Sequence, residues 1–97
     1  MTLQVYGIFE QHKDFAFKNQ IERASVSIMN NIAEGFDRRT DKELKHFLYI
    51  AKGSNAEVRS MLYLALDLDK IHKNEFDGLY NLSIEIAKLL NGFIKTL

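Results

Sequence analysis

A line of basic and aromatic residues is the most distinctive set of functional side chains in this sequence. Its members follow one another at helical steps and are Lys42, Lys45, Tyr49, Lys52, Arg59 and Tyr63. Such steps keep side chains on one face of an α-helix. Lysine and arginine at this spacing can contact successive phosphates while tyrosines stack on bases, as on a surface for single-stranded or structured RNA. We name these six residues the basic stripe.

The surroundings of the basic stripe leave two interpretations open. Arg38 and Arg39 extend it past the preceding turn, Ala56 fills its gap, and no acidic residue interrupts it. The whole chain, however, has 13 basic and 13 acidic side chains and a net charge of zero, so it lacks a bulk attraction to phosphate. The alternative interpretation is therefore an ordinary solvated helix face whose lysines maintain solubility.

A second set of charged and amide side chains consists of Arg23, Asn31, Glu34 and Glu57. The two glutamates stand among apolar neighbours, and paired carboxylates can do acid–base chemistry. The alternative is that Arg23 and a glutamate neutralise each other in a hydrogen-bonded network that fixes the register of two helices. We expect the structural network, and we expect that the protein is not an enzyme.

Other kinds of site find no support in the sequence. His12, His46 and His72 lie in separate segments, and none has a histidine or carboxylate at the i+4 spacing of a helical metal site. The chain has no cysteine, no glycine-rich phosphate loop and no nucleophile elbow. We expect no metal, no cofactor and no small-molecule substrate.

The first ten residues lack an export signal, and no stretch has the roughly 18 apolar residues of a membrane span. The absence of cysteine suits a reducing compartment. The sequence therefore predicts a cytoplasmic protein without a membrane partner.

The residues that must position these side chains form a single all-α domain, 1–97, with no proline to interrupt its helices. We expect a short first helix of about ten residues, weakened by Gly7. A second helix, capped by Asp14 or Asn19, runs to about Gly35, where glycine can adopt the left-handed conformation.

Two longer predicted helices follow. Thr40 and Glu43 have the capping-box spacing, so a third helix begins at Asp41 and continues to about Asp67. Asn74 with Asp77 caps a fourth helix that reaches the carboxyl terminus.

The predicted third and fourth helices carry more apolar side chains than one bundle can bury. The apolar residues that fall outside the main apolar face of each helix are Ile50, Leu64, Leu66, Leu68, Leu82 and Leu89. Gly53 lies in the middle of the third helix at a cost near 1 kcal/mol relative to alanine, which favours a closely packed neighbouring helix there. This surplus predicts a subunit interface and therefore a homo-oligomer.

Several segments of this sequence also resemble a known family. They are the residues QIERASVSI at 20–28, NIAEGF at 31–36, Glu43-Leu44, FLYIAKGS at 47–54 and Ala56-Glu57. From about Asp14 to Leu97 the chain resembles the bacterial four-helix bundle family named for proteins encoded in intervening sequences of 23S rRNA genes. The resemblance implies an antiparallel up-and-down four-helix bundle, a homopentamer and no known catalytic activity.

The chain is also similar to accessory proteins of diversity-generating retroelements, which are basic pentameric barrels that bind a reverse transcriptase and nucleic acid. It departs from them in its zero net charge. It departs from its family in its short first helix, which suggests that the chain begins inside that helix. Two functions remain in competition: an oligomeric scaffold that binds RNA or a ribonucleoprotein, and a protein-interaction subunit with no affinity for nucleic acid.

Overall fold

The computed structural model describes residues 1–97 as four α-helices and no strand. They are α1 (Thr2–Phe9), α2 (Phe15–Phe36), α3 (Asp41–Asp67) and α4 (Lys73–Lys95). The molecule measures 43 × 21 × 17 Å, so its long axis follows the two longest helices. The prediction of an all-α, four-helix chain with a short first helix is confirmed.

Side-chain contacts show that neighbouring helices run antiparallel. Between α2 and α3, Ser27 contacts Ser54 and Gln20 contacts Glu57. Residue numbers therefore decrease along α2 as they increase along α3. The rings of Tyr63 and Phe76 give the same sense for α3 and α4, together with the bond from Asn55 to Ser83. α3 therefore lies between α2 and α4 in an up-and-down order.

Local capping explains where α2 and α3 begin. The Asp14 carboxylate accepts a hydrogen bond from the Phe17 backbone N–H at 3.1 Å, so Asp14, and not Asn19, caps α2. The Thr40 hydroxyl accepts from the Glu43 N–H at 3.2 Å, which confirms the predicted start of α3.

α3 ends at its predicted residue, Asp67, through a left-handed turn. Asp69 has a φ of 56°, and the Lys70 N–H donates to the Ala65 carbonyl at 2.8 Å. These are the features of a Schellman motif, in which a left-handed residue turns the chain back onto the last helical carbonyls.

The predicted cap of α4 is wrong. The helix begins at Lys73 with His72 at the cap position, and the His72 N–H donates to the Glu75 carboxylate at 3.0 Å. Asn74 and Asp77 therefore lie inside the helix, where Asp77 pairs with Lys73. The reciprocal Glu75 contact satisfies an N–H that would otherwise lack a partner at the helix start.

α1 closes the bundle over only part of its length. Its buried side chains are Val5 and Phe9, and the Thr2 hydroxyl donates to the Ser25 carbonyl at 3.4 Å. No Cα atom of α2 lies within 8 Å of α4, so α1 fills the trough between these two helices along the first half of α2. α1 does not cover the rest of the trough.

Gly35 and Gly53 have roles that the sequence did not predict. Gly35 is buried inside α2 with no positive φ, and a Cβ atom there would lie 3.0 Å from Leu44 Cδ1 and 3.1 Å from Phe47 Cβ. Gly53 is exposed, and no atom lies within 4 Å of a Cβ built on it. The close helix approach is thus at Gly35, and the predictions for both glycines are wrong.

The exposed apolar side chains are spread more widely than predicted. Ile50 and Leu64 of α3, Leu68 just after it and Leu89 of α4 are exposed as expected, whereas Leu66 and Leu82 are half-buried against the core. Further large apolar side chains on the surface include Leu3, Phe15, Met29, Phe36 and Phe93. None of the four helices has the length and apolar content needed to cross a membrane.

Candidate nucleic-acid interface

The basic stripe lies on the outer face of α3, opposite the residues that this helix buries. Ala51, Val58 and Leu62 are fully buried on the inner face. On the other side Lys42, Tyr49, Lys52 and Tyr63 are exposed, and Lys45 and Arg59 are half-buried. The structure thus places all six side chains along about 30 Å of helix surface, at 1.5 Å per residue.

The cations of the basic stripe have no carboxylate partner. The structure contains four ion pairs, and none of them includes Lys42, Lys45, Lys52 or Arg59. Glu57 of α3 is directed to the α2 side, where it accepts a hydrogen bond from Gln20 at 3.4 Å. One face of a chain with zero net charge therefore carries a local excess of positive charge.

The two arginines that were predicted to extend the basic stripe differ from each other. One terminal nitrogen of Arg38 lies 2.5 Å from Glu34 Oε1, the other lies 4.0 Å from Glu43 Oε2, and the guanidinium stands 4.7 Å from the centre of the Phe47 ring. Arg38 is therefore compensated at the contact between α2 and α3 and does not belong to the basic stripe. Arg39 is exposed and forms no ion pair.

Tyr49 is the open aromatic residue of the basic stripe. Its side chain is 51% exposed, and it makes no contact with another aromatic ring. The Lys52 ammonium lies 5.9 Å from the ring centre, within the range of a cation–π contact. The ring and its cation are thus both presented to solvent.

Tyr63 instead belongs to an aromatic cluster at the contact between α3 and α4. Its ring centre lies 5.2 Å from that of Phe76 and 5.7 Å from that of Tyr80, and the last two rings stack on each other. The neighbouring Tyr80 phenol raises the pKa of the Tyr63 phenol, while the nearby Arg59 lowers it. The packing of Tyr63 could not be predicted from the sequence, because its partners come from another helix.

The predicted polar network forms with different partners. Arg23 is exposed and makes no ion pair, while Glu34 pairs with Arg38 and Glu57 accepts a hydrogen bond from Gln20. The Asn31 amide donates to the Ser27 carbonyl at 2.8 Å and to its hydroxyl at 3.0 Å. The expected pair between Arg23 and a glutamate is therefore absent.

A hydroxyl pair carries the polar link between α2 and α3. The Ser27 and Ser54 hydroxyls are 2.8 Å apart, and either can donate to the other. The hydrogen bond from Gln20 to Glu57 is the second side-chain hydrogen bond between the two helices. Asn31 reaches α3 only indirectly through Ser27, so the network is smaller than the sequence predicted.

Two buried side chains with an unpartnered polar atom were missed by sequence reasoning. Asn55 is fully buried, and its amide N–H donates to the Ser83 carbonyl at 2.8 Å, while its Oδ1 has no partner. Glu22 is also buried, and its Oε2 has no partner. The spacing of Asn55 from Ala51 and Val58 placed it on the inner face of α3, so its position could have been found from the helical period.

An apolar groove of about 530 Å³ lies at the open end of α1. Its apolar lining residues are Met1, Leu3, Ile28, Met29, Ile32 and Ile86. The groove continues the trough between α2 and α4, where the rings of Phe36 and Phe93 meet edge to face at 5.5 Å. No group of three or more histidine, aspartate or glutamate side chains comes together as a potential metal site.

With this geometry in place, comparison with known families identifies the chain's relatives. The family model described as "23S rRNA-intervening sequence protein" matches residues 1–92. The chain belongs to the 23S rRNA-intervening sequence protein family. The match includes α1, so the similarity of this chain to the 23S rRNA-intervening sequence proteins begins earlier than the Asp14 predicted from the motifs.

A solved structure gives the same result for the fold of this 23S rRNA-intervening sequence protein. It is a protein of unknown function from the S23 ribosomal protein family of Bacteroides thetaiotaomicron, 28% identical in sequence, with a TM-score of 0.90. The match covers 97% of this chain and 88% of the other. A comparison with curated proteins gives no match.

Proposed function

We propose that this protein is a non-catalytic, homo-oligomeric scaffold that binds RNA, free or in a ribonucleoprotein, through the basic stripe. The observation that carries the proposal is the set of four uncompensated cations on the outer face of α3, Lys42, Lys45, Lys52 and Arg59. Each ammonium or guanidinium that contacts a phosphate releases a condensed counterion, which favours binding at low salt. Membership of a family associated with 23S rRNA genes supports RNA as the partner.

The proposed assembly is the homopentamer that the family resemblance implies. It is supported by exposed apolar side chains on the flank of α3 away from the basic stripe. Ile50 and Leu64 are exposed there, in the same helical row as Glu57, which contacts α2, and Leu68 is exposed just after the helix. Association through this flank buries apolar surface and leaves the basic stripe open.

RNA binding is tested by charge reversal of three cations of the basic stripe. We expect the variant Lys45→Glu, Lys52→Glu, Arg59→Glu to lose roughly 100-fold or more in affinity for a labelled RNA hairpin at about 50 mM salt. The slope of log affinity against log salt should fall by about three, one for each lost phosphate contact. Fluorescence anisotropy at about 50 and 200 mM salt measures both quantities.

The matched control is the variant Lys13→Glu, Lys18→Glu, Arg23→Glu, which lowers the net charge by the same amount at positions outside the basic stripe. It should bind RNA with nearly the affinity of the wild type. Equal losses in the two variants would mean that net charge, and not this face, determines binding. Sedimentation velocity of the wild type tests the assembly, and a monomer at micromolar concentration would contradict it.

The alternative function is a protein-interaction subunit without nucleic-acid affinity. One observation favours it, namely the apolar groove beside Met1 and the exposed Met29 and Phe36 that continue it along α2. Apolar surface of this kind marks contacts between proteins. An intact oligomer that binds no RNA at about 50 mM salt would support this alternative and contradict the proposal above.

A further inference from the structure

We infer that the basic stripe is specific for single-stranded segments of RNA and that Tyr49 is the residue on which an unpaired base stacks. This inference rests on the proposed function and names the form of RNA that the stripe recognises. It is drawn from three features: the different surroundings of the two tyrosines, the cations that flank Tyr49, and the absence of a side chain at Gly53.

The two tyrosines of the basic stripe are not equivalent. Tyr63 is held between Phe76 and Tyr80 of α4, with ring centres 5.2 and 5.7 Å away, so its ring is part of the packing between helices. Tyr49 has no aromatic neighbour and is 51% exposed. The two side chains are nearly equally exposed, at 51% for Tyr49 and 49% for Tyr63. The Tyr63 ring packs against two rings of α4, whereas no aromatic ring packs against that of Tyr49, so Tyr49 is the freer of the two for a planar ligand.

Cations stand on both sides of Tyr49 along the helix. Lys45 precedes it by four residues and Lys52 follows it by three, so both lie on the same face, separated by about 10 Å. Neither lysine forms an ion pair, and the Lys52 ammonium lies 5.9 Å from the Tyr49 ring centre. A base on the ring therefore has a phosphate contact available on either side of it.

Gly53 keeps the Tyr49 ring accessible. Side chains on a helix lean toward its amino terminus, so a side chain at position 53 would cover the residue four positions before it, which is Tyr49. Gly53 is exposed, has no atom within 4 Å of its built Cβ, and stands in the middle of a helix, where glycine is unfavourable by about 1 kcal/mol. No helix packing in the structure requires glycine there, and an open ring face accounts for it.

A duplex does not use this arrangement. Paired bases are stacked on one another and offer no free face, so duplex RNA is bound through its phosphates and 2′-hydroxyls. A base in a single strand can leave its neighbours and stack on an aromatic ring, which contributes about 1–3 kcal/mol per base. An open ring between two free lysines therefore fits a single strand.

The experiment compares three labelled probes of equal length by fluorescence anisotropy with the full chain: oligouridine, a fully paired RNA duplex and oligothymidine. The wild type should bind oligouridine more tightly than the duplex. Tyr49→Ala should lose about 10-fold in affinity for oligouridine, the equivalent of roughly 1.4 kcal/mol, and little for the duplex. Tyr49→Phe should bind oligouridine as the wild type does, because it retains the ring.

Two further variants separate stacking from structure. Gly53→Leu should weaken oligouridine binding as Tyr49→Ala does, although it removes a helix-destabilising glycine and should not lower the thermal midpoint. Tyr63→Phe keeps the packed ring and should bind oligouridine normally. A Gly53→Leu variant with wild-type affinity would overturn the role given to the open ring face.

The outcomes distinguish this inference from the proposed function. Wild-type affinity in Tyr49→Ala, or equal losses on oligouridine and duplex, would overturn the inference while the charge-reversal result stands. Absence of binding to all three probes would remove the proposed function itself. Binding of oligothymidine ten times tighter than that of oligouridine would overturn the assignment to RNA.

Discussion

The contact between α2 and α3 and the contact between α3 and α4 differ in how many of their polar side chains have partners. Between α2 and α3, hydroxyls and charges have partners from both helices: Ser27 contacts Ser54, and Arg38 contacts Glu34 and Glu43. Between α3 and α4, an aromatic cluster and a single bond from Asn55 to Ser83 join the helices. The cations on the outer face beside α4 have no partners.

This difference explains how a chain with zero net charge can carry a basic face. On the α2 side, Glu34 and Glu43 lie beside Arg38, and Glu57 is directed toward Gln20, away from the stripe. Net charge sums over both faces and so hides their asymmetry. The distribution of partners, which only the fold reveals, determines where uncompensated positive charge lies on the surface.

The largest expected effect breaks the contact between α2 and α3. Gly35→Val introduces a β-branched side chain at a position where the Cβ atom alone would lie 3.0 Å from Leu44 and 3.1 Å from Phe47. We expect the free energy of unfolding to fall by about 3 kcal/mol, because the helices must separate to admit the side chain. Urea denaturation followed by circular dichroism measures it.

The control is Gly53→Ala, which has open space around the new Cβ. Its free energy of unfolding should rise by about 0.5–1 kcal/mol, the gain expected for alanine over glycine in a helix. A loss of stability in Gly53→Ala similar to that in Gly35→Val would contradict the assignment of the close contact to Gly35.

The next effect sharpens the description of the contact between α3 and α4. Asn55→Ala removes the bond to the Ser83 carbonyl and leaves a cavity, so the free energy of unfolding should fall by about 2–3 kcal/mol. Asn55→Leu keeps the branched outline of the side chain, fills the space that alanine leaves and removes the unpartnered Oδ1, although its methyl groups are larger than the amide atoms. Its stability should therefore lie closer to that of the wild type than that of Asn55→Ala does. The same denaturation experiment compares them. If both variants lose equally, Oδ1 has a bonding partner.

The smallest expected effect is a pH dependence of stability that arises from Asp14 at the start of α2. The hydrogen bond from the Phe17 N–H, followed by the Lys70 ammonium, lowers the pKa of Asp14 below its ordinary value of 3.8. A carboxylate with a lowered folded pKa stabilises the fold above its unfolded pKa and loses this contribution as pH falls through the folded value.

The test is Asp14→Asn, which keeps an acceptor at the helix cap and removes the charge. The wild type should be slightly more stable than this variant near pH 6, and the difference should shrink below about pH 4, where Asp14 becomes protonated. Thermal midpoints across this range provide the measurement. A difference independent of pH would mean that the charge of Asp14 contributes nothing.

Much of the fold could be predicted because its signals are local. Thr40 and Glu43 predicted the start of α3, and Asp14 was one of the two predicted caps of α2. The cap of α4 was missed because His72 contributes through its backbone N–H and the Glu75 side chain, whereas Asn74 and Asp77 matched the usual residue types.

The remaining errors concern contacts between residues distant in the sequence. Gly35 and Gly53 are chemically identical, and only the position of α3 makes one of them a point of close packing. For the same reason the sequence grouped Tyr49 with Tyr63, although residues of α4 surround only Tyr63. The pair between Arg38 and Glu34 is an exception, because Arg38 follows Glu34 by only four residues, in the turn after α2.

The shortness of α1 has a consequence for the energetics of opening. Two buried side chains, Val5 and Phe9, and one hydrogen bond at its start hold this helix in the trough between α2 and α4. We expect an element with so few buried contacts to open at a lower cost in free energy than the rest of the bundle. Opening of α1 would join the covered part of the trough to the open part and would expose one longer apolar surface along α2.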